Sequence, residues 1–361
     1  MKDVQEVIFL SGNGNFKLGA KILEQLSELF GKRCFFSHIN FNKYPEGELD
    51  NRIVNHENIR GKIVVIYQSI FKQKYDDELT DLVWALKHQY GAKYIIGIFP
   101  FFWNRRQDPV MEETALEKWS KKVAKPDEIQ RLRKSIFILH QCGIDEMIVA
   151  TPHSSAMAKA CEEYGVKFHE INPTIKFATT IQTFIPLEEH SLINVYAPDA
   201  GSIPRAVRLA GILHCRVLFN LKNRAINSIT SIVEEKKEEI ERLVAEFREY
   251  YDFEEIYYIV PDLVEGKIIV IVEDEVASGG TANNTGRHLK QLKAKAVLLL
   301  ATHAVLIRGW KNKLFYLNPF SRMIMTNTIP RGHKKRTGGK IFDISLAQEF
   351  GDSLFRILDS M

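Results

Sequence analysis

The stretch Gly266-Lys-Ile-Ile-Val-Ile271 repeats Gly61-Lys-Ile-Val-Val-Ile66 with a single change, Val64 against Ile269. Each copy is a short apolar run of the kind that forms a strand buried on both faces. Each is followed by a helical segment, Leu82-Val-Trp-Ala-Leu-Lys87 or His288-Leu-Lys-Gln-Leu-Lys293, and then by Ala-Lys leading into a further run at Tyr94 or Ala296. From Lys62 to Lys93 is 31 residues, and from Lys267 to Lys295 is 28. Any two strand-helix-strand units share part of this pattern, and two copies are too few for a solenoid. Duplication of a whole domain accounts best for the agreement in order and spacing.

Working outward, apolar runs at 7–10, 63–67, 94–99, 147–150, 193–197, 216–219, 268–272 and 296–301 alternate with helical patterns. That alternation implies an α/β fold with parallel sheets flanked by helices. The 361 residues suffice for two domains of ordinary size. No apolar run approaches the roughly 20 residues of a membrane span, and the first ten residues carry acids and lead straight into a strand, unlike a signal or transit peptide. A cytoplasmic protein without a membrane partner is expected. Cys34, Cys142, Cys161 and Cys215 are widely spaced, which argues for reduced thiols over a zinc site or disulfide framework.

A net charge of +4 says little, but 331–340 holds five basic residues and no acid. Without interleaved aromatics or a DNA-binding motif, this run reads as a solvated loop or a phosphate-effector site, not a nucleic-acid surface. The segment 104–134 is polar, with nine Lys or Arg against six acids, and long loops of that kind are usually functional or mobile. Residues 232–251 place Ile240, Leu243, Val244, Phe247 and Tyr251 on one helical face, an amphipathic helix expected to dock on its own domain.

The chemistry-bearing stretch follows the second copy of the repeat: Val272-Glu-Asp-Glu-Val-Ala-Ser-Gly-Gly-Thr281. Open α/β sheets bind ligands at the carboxyl ends of their strands. Glycines at a helix start let backbone N–H groups close on phosphate oxygens. Acids beside such a loop suit a sugar phosphate, whose hydroxyls they accept while the loop takes the phosphate. Ending the strand at Val272 makes Glu275 point away from Glu273; only a longer strand would put them on one side.

In this context the chain resembles the ribose-phosphate pyrophosphokinases. The resemblance rests on Phe9-Leu-Ser-Gly-Asn-Gly-Asn15, Tyr44-Pro-Glu-Gly-Glu48, Pro100-Phe-Phe-Trp-Asn-Arg-Arg-Gln-Asp108, Ala197-Pro-Asp-Ala-Gly201, Ala301-Thr-His-Ala-Val305 and Thr326-Asn-Thr-Ile-Pro330, in that order. It implies two tandem phosphoribosyltransferase-type (type I) domains. The first would span 1–166 and bind ATP, with a C-terminal helix at about 343–361 packing on it; the second would span 167–342 and bind ribose phosphate, with a helical insertion at about 230–252. The implied reaction transfers the diphosphoryl group of Mg·ATP to the C1 hydroxyl of a ribose phosphate and releases AMP.

By the same resemblance Lys222 and Arg224 are the catalytic cations, and Arg106, Gln107 and Asp108 contact ATP. Tyr44, Glu46 and Glu48 reach the ATP of a neighbouring subunit in a homo-oligomer. Glu273, Asp274, Ser278, Gly279, Gly280 and Thr281 hold the ribose phosphate, and His153 and Asp199 hold Mg²⁺. The match departs from the family at Ala277, where a third acid is usual, and at Thr151, which replaces an acid beside His153. Those departures leave the acceptor open, so a larger nucleotide-linked ribose such as ADP-ribose is an alternative, as is a non-catalytic regulatory subunit.

Overall fold

The carboxyl edges of two parallel sheets face each other in the computed structural model, which describes residues 6–30, 34–106, 129–220, 237–316 and 318–361. The first sheet is built on β1 (Val7–Ser11), which pairs with β2 (Cys34–Ser37) on one side. On the other side it pairs with β5 (Ile63–Tyr67), followed outward by β6 (Tyr94–Phe99), β7 (Glu146–Ala150) and β8 (Lys167–Ile171). Between β2 and β5 the chain forms an antiparallel hairpin of β3 (Ile39–Lys43) and β4 (Leu49–Ile53).

The second sheet has the order β11-β10-β9-β12-β13-β14-β15, all parallel. Its strands are β9 (Ile193–Ala197), β10 (Arg216–Phe219), β11 (Ile256–Tyr258), β12 (Ile268–Val276), β13 (Ala296–Ala304), β14 (Arg322–Thr326) and β15 (Ile341–Ile344).

The repeat read in the sequence has a structural counterpart down to single hydrogen bonds. Gly61 N–H donates to Gly91 O, Lys62 N–H to Ile59 O and Lys93 N–H to Lys62 O. In the second domain Gly266 donates to Lys293 O, Lys267 to Val264 O and Lys295 to Lys267 O. Gly61 and Gly266 both take the left-handed backbone, at φ 73° and 70°, that a residue with Cβ disfavours. Strands β5 and β12 therefore begin from the same turn and hold equivalent places in their sheets.

Two boundaries differ from the sequence reading. Lys167–Ile171, assigned there to the second domain, pairs with Glu146–Ala150 as the outer strand of the first sheet. Its side chains are mostly exposed or half-buried, so it lacks the apolar run that marks an inner strand. Strand β12 continues to Val276 instead of stopping at Val272.

Ten α-helices are described. Helix α1 (Phe16–Phe30) follows β1, α2 (Gln73–Trp84) follows β5, α3 (Arg131–Cys142) precedes β7, and α4 (Ala156–Glu163) and α5 (Thr174–Phe184) flank β8. The second domain begins with α5, whose Phe177, Ala178 and Ile181 lie in its core, followed by α6 (Ile203–Leu213), α7 (Lys237–Tyr251), α8 (Gly280–Gln291) and the short α9 (His333–Arg336). Helix α7 docks on its own domain through Phe247, whose ring lies 5.3 Å from Phe219. The final helix, α10 (Ala347–Asp359), returns to the first domain, where Phe350, Leu354 and Ile357 share a core with Leu18, Ile22 and Leu26 of α1.

Candidate active site

The site is a junction between domains, and a buried polar seam fixes it. Asn15, at φ 66°, donates from Nδ2 to Asn327 O at 2.7 Å, and Ser69 Oγ donates to Thr328 O at 2.6 Å. The hydroxyls of Thr151 and Thr302 are 3.0 Å apart. His303 at the end of β13 reaches back to the first sheet: its Nε2 is 3.1 Å from both Ala150 O and Thr151 O, and its Nδ1 is 3.0 Å from Thr328 Oγ1. Carbonyl oxygens only accept, so Nε2 carries the proton and Nδ1 accepts from Thr328. Burial, with Arg105 adding to it, pushes the imidazole down to about 3, and it stays neutral.

Thr151 sits at φ 35°, a left-handed conformation costly for a β-branched residue. The seam holds it there: its N–H donates to Ile171 O, its carbonyl accepts from His303, and its hydroxyl meets Thr302. That forced turn carries the chain to His153. His153 Nδ1 is 2.6 Å from Asp274 Oδ2, and Arg205 on α6 lies 4.0 Å from the other oxygen. Burial alone would raise the Asp274 pKa; the His153 hydrogen bond and Arg205 overcome it and hold the carboxyl well below the usual range. An ionised carboxylate accepts only, so His153 Nδ1 is the donor, and in the neutral ring Nε2 keeps its lone pair.

The longer β12 changes how the acids are displayed. Beyond Ile271 it has left β9 behind and pairs only with β13, Glu273 opposite Ala301 and Glu275 opposite His303. Alternation puts Glu273 and Glu275 on one face and Asp274 on the other. Glu273 and Asp274, both assigned from the sequence to ribose hydroxyls, therefore point to opposite faces, and Glu275 does not point away from Glu273. Three consecutive acids are tolerated in a strand because Asp274 meets His153 and Arg205 while Glu275 meets Arg105 and Arg106.

After β12 the loop 278–281 opens α8. Gly279, at φ 75°, is the residue before its first turn, and a Cβ there would lie 2.4 Å from Leu314. Glycine is thus required both by backbone and by space. The first-turn N–H groups of an α-helix have no intrahelical partners and carry its positive end. Above this turn lies the π-helical turn Asn312–Tyr316, fastened by the buried Asn283, whose side chain donates to Lys313 O. Lys313 Nζ comes within 3.0 Å of the place a Cβ on Gly280 would occupy.

The other sequence-derived positions are less closely joined. Asp199, beyond β9, accepts Ser202 N–H on Oδ1 at 3.1 Å and so shapes the start of α6. Tyr44, Glu46 and Glu48 form the exposed tip of the β3–β4 hairpin, closed by Tyr44 N–H to Glu48 O at 2.9 Å with Gly47 at φ 100°. Gln107, Asp108, Lys222 and Arg224 lie outside the described residues. Sequence reasoning assigned no role to Arg105, Arg205, Glu275, His303 or Lys313, whose partners are distant in the chain. Arg105, Glu275 and His303 did carry a signal, each lying inside a stretch already singled out.

Comparison with known proteins decides the family. The family model described as the N-terminal domain of ribose phosphate pyrophosphokinase matches residues 7–123, and that of the phosphoribosyl transferase domain matches 188–316. The chain belongs to the ribose-phosphate pyrophosphokinase family. The ribose-phosphate pyrophosphokinase of Burkholderia pseudomallei is 25% identical over 354 residues, covering 97% of this chain and 94% of that protein. Its counterpart in Haemophilus influenzae is 23% identical over 356 residues, 98% of this chain and 96% of that one. The crystal structure of phosphoribosylpyrophosphate synthetase from Mycobacterium smegmatis has a TM-score of 0.74 at 18% identity, covering 99% of this chain and all of that one, so the fold is shared. In this pyrophosphokinase-family chain the two matched segments fall on the two sheets, and the junction between them is the candidate active site.

Proposed function

We propose that the protein is a cytoplasmic ribose-phosphate pyrophosphokinase that transfers the diphosphoryl group of Mg·ATP to the C1 hydroxyl of ribose 5-phosphate. The C1 hydroxyl gives up its proton to solvent as its oxygen attacks the β-phosphorus, the bond from that phosphorus to the oxygen shared with the α-phosphorus breaks, and AMP leaves with that oxygen. The carrying observation is the junction itself. A helix-start loop at 278–281 and the acids of β12 stand on one side, and the Arg105-Arg106 loop meets them from the other domain.

In this reading the N–H groups of 278–281 hold the 5-phosphate, with Lys313 as an added cation, and Glu273 accepts from ribose hydroxyls. Arg106, with Gln107 and Asp108, binds ATP. Tyr44, Glu46 and Glu48 on the hairpin tip serve the ATP of a second copy in a homo-oligomer. Lys222 and Arg224 stabilise charge on the transferring phosphoryl oxygens, a point charge and a bidentate fork respectively.

Mg²⁺ takes few protein ligands in phosphate sites and keeps waters and substrate oxygens for the rest. Among the described residues no cluster of three or more His, Cys, Asp or Glu could hold a metal by itself. His153 and Asp199 would hold it, with Asp274 orienting the imidazole from the far side as carboxylates do for ligating histidines. The ion would neutralise charge on the polyphosphate. The test is AMP formation from ATP, Mg²⁺ and ribose 5-phosphate: equimolar AMP and phosphoribosyl diphosphate are expected, and no AMP above an acceptor-free control would refute the reading.

A further inference from the structure

Glu275 stands where the overhang of β12 reaches the first domain, and both of its carboxylate oxygens are engaged by consecutive residues of one loop. Oε2 pairs with Arg105 Nη2 and Oε1 with Arg106 Nη2. The two arginines differ in situation. The Arg105 side chain is 8% exposed and its guanidinium carbon lies 4.0 Å over the ring of Phe101, which meets His303 edge-on at 5.0 Å. The Arg106 side chain is 61% exposed.

A carboxylate side chain that is only 4% exposed needs a charged partner to remain ionised. Arg105, stacked and enclosed, supplies it. With its charge met there, Glu275 has a second oxygen to spend on Arg106. A guanidinium presents five N–H donors in a rigid plane, so fixing one nitrogen fixes the direction of the others. We propose that Glu275 is a positioning residue: together with Arg105 it holds the Arg106 guanidinium in a set orientation for the phosphates of ATP. Because Glu275 belongs to the strand that carries Glu273, the same contact ties the ATP side to the ribose side. The inference rests on the reading of Arg106 as an ATP contact.

The test is a double-mutant cycle in steady-state kinetics, with thermal melts to verify folding. Glu275→Gln should raise KM for ATP about tenfold while leaving KM for ribose 5-phosphate within about twofold, and Arg106→Ala should raise KM for ATP at least as much. In the Arg106→Ala background, Glu275→Gln should add no more than about twofold, since the group it orients is gone. Undiminished multiplication of the two effects, or an unchanged KM for ATP in Glu275→Gln, overturns the proposal. If Arg106→Ala alone leaves KM for ATP unchanged, the ATP assignment of Arg106 fails and the proposal falls with it, whereas AMP formation by the wild type is judged separately. Should Glu275→Gln not fold, Glu275→Asp keeps the charge and withdraws it by one methylene. It should raise KM for ATP by a smaller factor in the Arg106 protein and not in Arg106→Ala; an equal rise in both contradicts the account.

Discussion

The two domains share a strand order around β1 and β9 and start β5 and β12 from the same turn, yet their carboxyl-edge loops are used differently. In the first domain Gln68, fully buried, accepts Gly14 N–H at 2.7 Å, and Cβ atoms on Gly12 or Gly14 would lie 2.3 Å from Gln68 Oε1 or 2.1 Å from Ser69 O. Those glycines allow protein to pack on protein. In the second domain Gly279 and Gly280 are crowded from one side by Leu314 and Lys313, while Ser278 and Gly280 stay half-exposed and Thr281 exposed. One edge has become a joint, while the other leaves an open helix-start loop at the junction, the loop proposed as the phosphate cradle.

The contrast can be broken most forcefully at the joint. Gly14→Ala should lower stability by about 3 kcal/mol, since its Cβ meets backbone that cannot yield cheaply; a urea midpoint close to wild type would show that the loop is not packed as described. Next in size is the seam's response to acid. His303 keeps its proton off down to about 3 when folded, against 6.5 when unfolded, so the unfolded chain binds more protons between those values and stability falls as pH drops through that window. Asp274, held below its ordinary value, adds to the loss only at still lower pH. Comparing urea melts at about pH 7 and about pH 5 should show a smaller drop in His303→Gln than in wild type.

A lesser effect is expected at the cradle's rim. Lys313→Ala should raise KM for ribose 5-phosphate roughly three- to tenfold through loss of one exposed cation, with KM for ATP unchanged. A rise confined to ATP would move the lysine to the other substrate.

Most inner strands were legible because they are continuous apolar runs, and the repeat was legible because its turn and strand keep their residues. The edge strands were not, nor was the buried Arg322–Thr326 beside one of them. Lys167–Ile171 and Cys34–Ser37 are partly exposed, and Ile256–Tyr258 is only three residues long, so neither periodicity nor length marks them. The end of β12 was missed for a different reason. Acids normally stop a strand, and what lets Glu273, Asp274 and Glu275 continue it is a set of partners from elsewhere in the chain: His153 and Arg205 for Asp274, Arg105 and Arg106 for Glu275. The glycine turn that opens α8 was readable because its residues are contiguous. The His153–Asp274 contact, spanning 121 positions, was not.

The central claim, that 278–281 cradles the acceptor's phosphate while ATP is held from the other domain, is tested most directly by calorimetric titration of Gly280→Asp. An acid in the first turn of a helix favours the fold, so the variant should remain folded, but its carboxylate would stand where the phosphate is held. The account predicts that ribose 5-phosphate binding weakens by about a hundredfold or more while Mg·ATP binding stays within about threefold of wild type. Unchanged ribose 5-phosphate affinity, or an equal loss of both ligands, would contradict it.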